Sequence, residues 1–233
     1  MSEYLRNLTE NLERIEREEE QQLSRAIRLV ADVIKGDGLI YVFGCGHSHL
    51  PGLDAFYRAG GLANVSPILD TDLMLHNGAA KSSRMEKMPG IAQEVLRRYK
   101  PTGKDMLFVF SASGKNAVPV EMARAARELG IPTVGVSSSA YFDHGATLHT
   151  LVDVPIDSKV PYGDASVRVG EGMMGALSTS ASCFILNTCL IEGAKLAYSE
   201  GAQPPIFKSG NIEGGKDFNI ALEDAYLGRV KHL

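Results

Sequence analysis

The sequence has little of what would mark an exported, membrane-bound or nucleic-acid-binding chain. Cysteine is scarce, with only Cys45, Cys183 and Cys189 in 233 residues. Their odd number and apolar surroundings argue against a disulfide frame and predict reduced, buried thiols. No block of lysine and arginine occurs and the net charge is −4, which argues against nucleic acid as a partner. No apolar run approaches membrane-spanning length, and the polar N-terminus has no apolar signal core. No low-complexity tract or Pro/Gly-rich linker divides the chain. These absences predict a soluble cytoplasmic protein with neither a membrane nor a nucleic-acid partner.

What is present is a core. Apolar residues make up 44% of the chain, enough for one large α/β domain or two small ones. Residues 3–35 read as one long helix, with Leu5, Leu8, Leu12 and Ile15 and then Leu23, Ile27, Val30 and Ile34 forming its stripe. At 1.5 Å per residue it would span about 50 Å. Its charged middle, "ERIEREEEQQ", suits either a solvated face or a helix reaching a partner subunit.

Strand-then-helix units follow. "GLIYVFGCGHSHLPGLDAFYRAGG", "NVSPILD", "DMLFVFSASGKNAVPVEMARAARELG", "IPTVGVSSSA" and "TLVDVPID" supply five strands. They are apolar on both faces, as a helix-covered sheet requires. The alternation predicts a doubly wound, five-stranded parallel sheet flanked by helices. Helices are expected over 88–99 and 175–200, then a loop and a short terminal helix. The expected division is an N-terminal helix (1–35), an α/β domain (36–200) and a C-terminal loop and helix (201–233) packing on it.

Three strand ends carry hydroxyls: Ser48 after Gly46, Ser111 and Ser113 before Gly114, and Ser137, Ser138 and Ser139. In an open parallel sheet ligands bind at the carboxyl ends of the strands. Helix N-termini there present free N–H groups and partial positive charge. Hydroxyls and bare glycine backbone added to these make an anion cradle, most naturally for phosphate. A capping role for Ser113 would explain one serine, but not three serine-bearing strand ends. Familiar alternatives fail on spacing. "GCGHSH" puts His49 where G-x-G-x-x-G needs its last glycine, no G-x-x-x-x-G-K-[ST] occurs, and "FSASG" lacks the first glycine of G-x-S-x-G. His47 and His49 lack a third ligand at supporting spacing, so no metal is expected.

These residues resemble the sugar isomerase (SIS) domain family over roughly 36–200. "GLIYVFGCGHSH" looks like its first strand and serine loop. "DMLFVFSASGKNAVPVEMARAARELGIPTVGVSSS" looks like its central signature, in which a Ser-x-Ser-Gly loop binds the phosphate of a sugar phosphate. Asn116 stands where the family usually has threonine. The resemblance implies Ser48, Ser111, Ser113 and Asn116 as phosphate contacts, a phosphorylated sugar as partner, no cofactor, and a homodimer or homotetramer. The whole chain also looks like a bacterial SIS group that carries the phosphoheptose isomerase label. The helix "STSASCFILNTCLIEGAKLAYSEG" has no histidine, unlike those isomerases. Its run from Ser178 through Asn187 looks more like the N-acetylmuramic acid 6-phosphate etherase.

Isomerase and etherase both begin with proton abstraction beside a carbonyl and need a carboxylate base. By resemblance the base is Glu86, with Glu94 as fallback; ring opening needs a second acid or base, for which His76 and His144 are the candidates. The expected activity is aldose–ketose isomerisation of a sugar phosphate. An etherase-type lyase or a non-catalytic sugar-phosphate sensor are the alternatives. Asp164, Ser209, Asn211 and Asp217 read as turn residues that could also close over a sugar.

Overall fold

The computed structural model describes residues 1–233. Five strands form one parallel sheet: β1 (Ile40–Gly44), β2 (Val65–Ile68), β3 (Met106–Phe110), β4 (Thr133–Ser137) and β5 (Val154–Asp157). Their order is β2-β1-β3-β4-β5, so the winding reverses beside β1. Gly44 pairs with Phe110 at the carboxyl ends of β1 and β3, and the two following loops therefore leave the sheet side by side at the switch point.

Alternation along each strand builds two cores. Ile40, Val42, Phe108 and Phe110 face helices α1 (Glu3–Glu18), α2 (Glu20–Lys35) and α8 (Ser178–Ser199). Tyr41, Phe43, Leu107 and Val109 face α5 (Ile91–Arg97), α6 (Ala117–Glu128) and the segment that includes α9 (Gly215–Tyr226). Burial on both sides explains why these strands read as continuous apolar runs. On α8, Gly193 admits Val30 of α2 so closely that a Cβ there would lie 2.4 Å from Val30 Cγ1. No helix is long and apolar enough to cross a membrane.

The N-terminal helical segment covers the expected residues with one break, at Glu19 (φ −107°, ψ 14°). Glu19 turns inward, 9% exposed. Its carboxylate accepts from Asp157 N at 3.2 Å and pairs with Lys159 Nζ at 2.6 Å. Part of the charged stretch is thus spent on the end of β5. Two further features differ from expectation. An antiparallel hairpin, β6 (Ala165–Val169) and β7 (Gly172–Ala176), precedes α8, which starts at Ser178 rather than 175. The helix expected over 88–99 is the shorter α5, preceded by α4 (Ala79–Met85). Gly90 (φ 89°), whose left-handed backbone suits glycine, precedes α5. Asp164 ties the hairpin to α8: its carboxylate accepts from Leu177 N, Ser178 N and Ser178 Oγ.

Candidate functional site

The loop after β3 turns tightly. Gly114 N donates to the Ser111 carbonyl at 3.0 Å and lies 3.2 Å from Ser111 Oγ. Gly114 has φ 60°, and a Cβ on it would meet Ser137 Cβ at 3.0 Å; glycine is required on both counts. Its carbonyl accepts from Thr147 N and Leu148 N, which ties the β4–β5 connection to this turn. After β1, Gly46 takes φ 57° and Ser48 N donates to the Cys45 carbonyl. Gly44 passes so near the Ser48 backbone that a Cβ would overlap its carbonyl oxygen.

Helix α6 begins beside this turn, and its N-cap is Asn116 rather than Ser113. Asn116 makes no side-chain cap bond. Instead its Nδ2 donates to Glu86 Oε1 at 2.7 Å. The Glu86 carbonyl accepts from Val118 N at 3.0 Å, satisfying an α6 donor that an N-cap side chain would ordinarily take. Glu86 itself ends α4. Its carboxyl is pushed above the ordinary value by burial, against the pull of Lys87. Cys45 is buried, and its thiol is pushed up by burial and by the Glu86 and Asp70 charges, a thiol unsuited to nucleophilic work.

The other candidates divide. Ser111 and Ser137 are buried at 8% and 2% exposure, on either side of Gly114, while Ser48 and Ser113 are partly exposed. Ser138 is spent on structure: its Oγ donates to the Val160 carbonyl at 2.6 Å and accepts from Ala140 N. His76 is exposed, with its ring centroid 6.0 Å from that of His49. His49 is buried, its Nδ1 against the Gly46 carbonyl. Burial pushes its protonation down, opposed by that hydrogen bond and aided by His76 and His47. His144 stands on the β4–β5 connection, its ring 4.4 Å from Tyr162. Glu94 is a solvated carboxylate, 74% exposed and paired with Arg97 at 3.1 Å. No three His, Cys, Asp or Glu side chains converge closely enough to hold a metal ion. Asp164 is engaged as the α8 anchor described above, Ser209 Oγ accepts from Asn211 N, and Asp217 lies in the first turn of α9; these contacts are turn and helix-end chemistry. Sequence reasoning missed the Glu86–Asn116 bond and the buried role of His49. An asparagine before a helix signals a cap, and nothing local ties it to a glutamate 30 residues earlier.

Tight turns carrying serine and glycine at the switch point of a 2-1-3-4-5 parallel sheet define a class of proteins. The SIS domain model matches residues 3–138, and the chain belongs to the SIS domain family. Its relatives include UPF0309 proteins: that of Geobacillus kaustophilus (strain HTA426) is 36% identical, over 100% of this chain and 96% of its own length. Among solved structures, the Vibrio vulnificus NanR protein complexed with ManNAc-6P superposes with a TM-score of 0.55 at 15% identity, covering 98% of this chain and 69% of that one. A phosphoheptose isomerase from Neisseria gonorrhoeae gives 0.51 at 15% identity, covering 84% and 93%. At such identities these structures speak for the fold.

Proposed function

We propose that this protein binds a sugar phosphate in the switch-point crevice and interconverts its aldose and ketose forms, with Glu86 as the base. The observation that carries this reading is Glu86 itself: a half-buried carboxylate of raised proton affinity, held by the same loop that would hold the phosphate. The dianion would sit among the hydroxyls of Ser48, Ser111 and Ser113, the wall at Ser137, and the amides that open α6. Ser138 supports that wall. Asn116 acts on Glu86 rather than on the phosphate.

With the phosphate fixed, Glu86 meets one carbon. The carboxylate takes the proton from the carbon beside the carbonyl, leaving an enediolate. The same proton returns to the former carbonyl carbon, while the proton of the neighbouring hydroxyl moves to the former carbonyl oxygen. No atom is gained or lost. A raised proton affinity brings the base nearer to working pH. His76, which shares the β2–β3 connection with Glu86, or His144, on the β4–β5 connection, would serve ring opening. The exposed Ile191 and Tyr198 of α8 offer a face for a second copy of the chain.

One observation favours a second reading. The NanR protein complexed with ManNAc-6P superposes over 98% of this chain, and a sensor would use the same crevice without turnover. The test is a panel of hexose, heptose and amino-sugar phosphates read by thermal shift and by product formation. Binding ligands raise the melting temperature. Binding with turnover supports the isomerase, binding without turnover supports the sensor, and no binding rejects both.

A further inference from the structure

A second concave site lies at the opposite edge of the sheet, where β1 and β3 begin. Its cavity is about 660 Å³, and five cationic side chains against two carboxylates line it. The cations are Arg98, Lys100, Lys104, Arg229 and Lys231. This is a cationic concentration in a chain of net charge −4.

The two lining carboxylates offset only part of this charge. Asp105 is buried and spent on three donors: Leu39 N at 2.7 Å, Thr102 N at 2.6 Å and Thr102 Oγ1 at 2.9 Å. Asp37 is held by Arg229 at 3.0 Å. Arg98 reaches Asp70 only at 3.5 Å. Lys231 Nζ donates to the Arg98 carbonyl and lies 5.1 Å from the Tyr99 ring centre, so one ammonium is drawn over the cavity wall. Lys100 holds a left-handed backbone (φ 50°), a conformation that costs a lysine energy. The wall behind these side chains is rigid. Tyr41 OH donates to the Tyr99 carbonyl at 3.1 Å, and Tyr99 OH to the Leu69 carbonyl at 3.0 Å. His232, whose Nε2 lies 2.8 Å from Tyr99 OH, has its protonation disfavoured first by burial and then by the Lys231 and Arg98 charges.

Arg229 and Arg98 are paired with Asp37 and Asp70, whereas Lys100, Lys104 and Lys231 have no carboxylate partner, and cations gathered so in a cavity attract an anion of matching charge density. We propose that this cavity is a second anion site, for a compact polyanion of the diphosphate class. It is distinct from the switch-point crevice, since the length of β1 separates the two by about 16 Å.

The test is calorimetric titration of the full chain with inorganic pyrophosphate at low salt. Three proteins are compared: wild type, Ser113→Ala to weaken the crevice, and Lys104→Ala/Lys231→Ala. Both lysines are exposed, and an unchanged melting temperature without ligand confirms that the double variant folds. The expected result is pyrophosphate binding that persists in Ser113→Ala and weakens at least 10-fold in the double variant, while orthophosphate binds this site less tightly. Absence of binding in Ser113→Ala, or equal affinity in the double variant, overturns the proposal. So would a single-stranded oligonucleotide that outcompetes pyrophosphate here, since the surface would then belong to nucleic acid.

Discussion

Asn116 Nδ2 donates to Glu86 Oε1 at 2.7 Å, joining the start of α6 to the end of α4. Two opposed influences therefore meet on one carboxylate. Burial raises its proton affinity against the Lys87 charge, and a hydrogen bond from Asn116 favours the charged form. The net direction is upward.

Glu86→Gln keeps an oxygen for Asn116 and removes the carboxylate proposed as the base. The expected result is a fall in kcat of about 10²–10⁴, with sugar-phosphate binding retained. The wild-type rate should rise with pH through the raised Glu86 value, so its acid limb lies above the ordinary carboxylate value of 4.5; the variant should lose that limb. Stability follows the same sign. A carboxyl whose folded proton affinity is raised favours the fold at low pH and opposes it once pH exceeds the folded value. Glu86→Gln should therefore melt no lower than wild type at neutral pH, by calorimetry.

Asn116→Ala removes the donor and leaves the carboxylate half-buried without it. The acid limb should move to higher pH, and stability should fall by about 1–2 kcal/mol. An unmoved limb in the pH–rate profile would mean that Asn116 does not act on the base.

Ser113→Ala and Ser138→Ala should part company. Ser113 is not the α6 cap, so its loss should spare the melting temperature and weaken phosphate binding about 10-fold, or about 1.4 kcal/mol. Ser138→Ala orphans the Val160 carbonyl and should cost about 1–3 kcal/mol of stability, measured by denaturant unfolding.

Lys159→Met should be the most damaging of these changes. Lys159 Nζ lies 2.6 Å from Glu19 and 3.2 Å from Asp157, and its side chain is 11% exposed. Removing one member of a buried ionic group costs about 3–5 kcal/mol. Burial pushes the Asp157 carboxyl up, but hydrogen bonds from Ser139 and Lys159 and the Lys159 charge outweigh this and leave it below its ordinary value. Its stabilisation is thus present above the unfolded value and lost as pH falls through the lowered one. Acid unfolding should show that loss in wild type and a smaller one in the variant.

The sheet was legible because five apolar runs must be buried on both faces, and the hydroxyl-bearing strand ends because Ser48, Ser111 and Ser113 follow such runs and Ser137 closes one. The β6–β7 hairpin was not: Val169, Met173 and Met174 are exposed, so no buried stripe announces it. The break at Glu19 depends on Lys159 and Asp157, the latter 138 residues away. The Glu86–Asn116 bond is likewise non-local. Local pattern records burial and turn chemistry, whereas a side chain's partner across the fold is set by packing.

The measurement that bears most directly on the account is a crystal structure of the protein soaked with a sugar phosphate found to bind. The phosphorus should lie within hydrogen-bonding reach of Ser111, Ser113 and the first amides of α6, with the sugar carbon chain extending toward Glu86. A phosphate seated at the opposite edge of the sheet with the switch-point crevice empty, or a sugar directed away from Glu86, would contradict it.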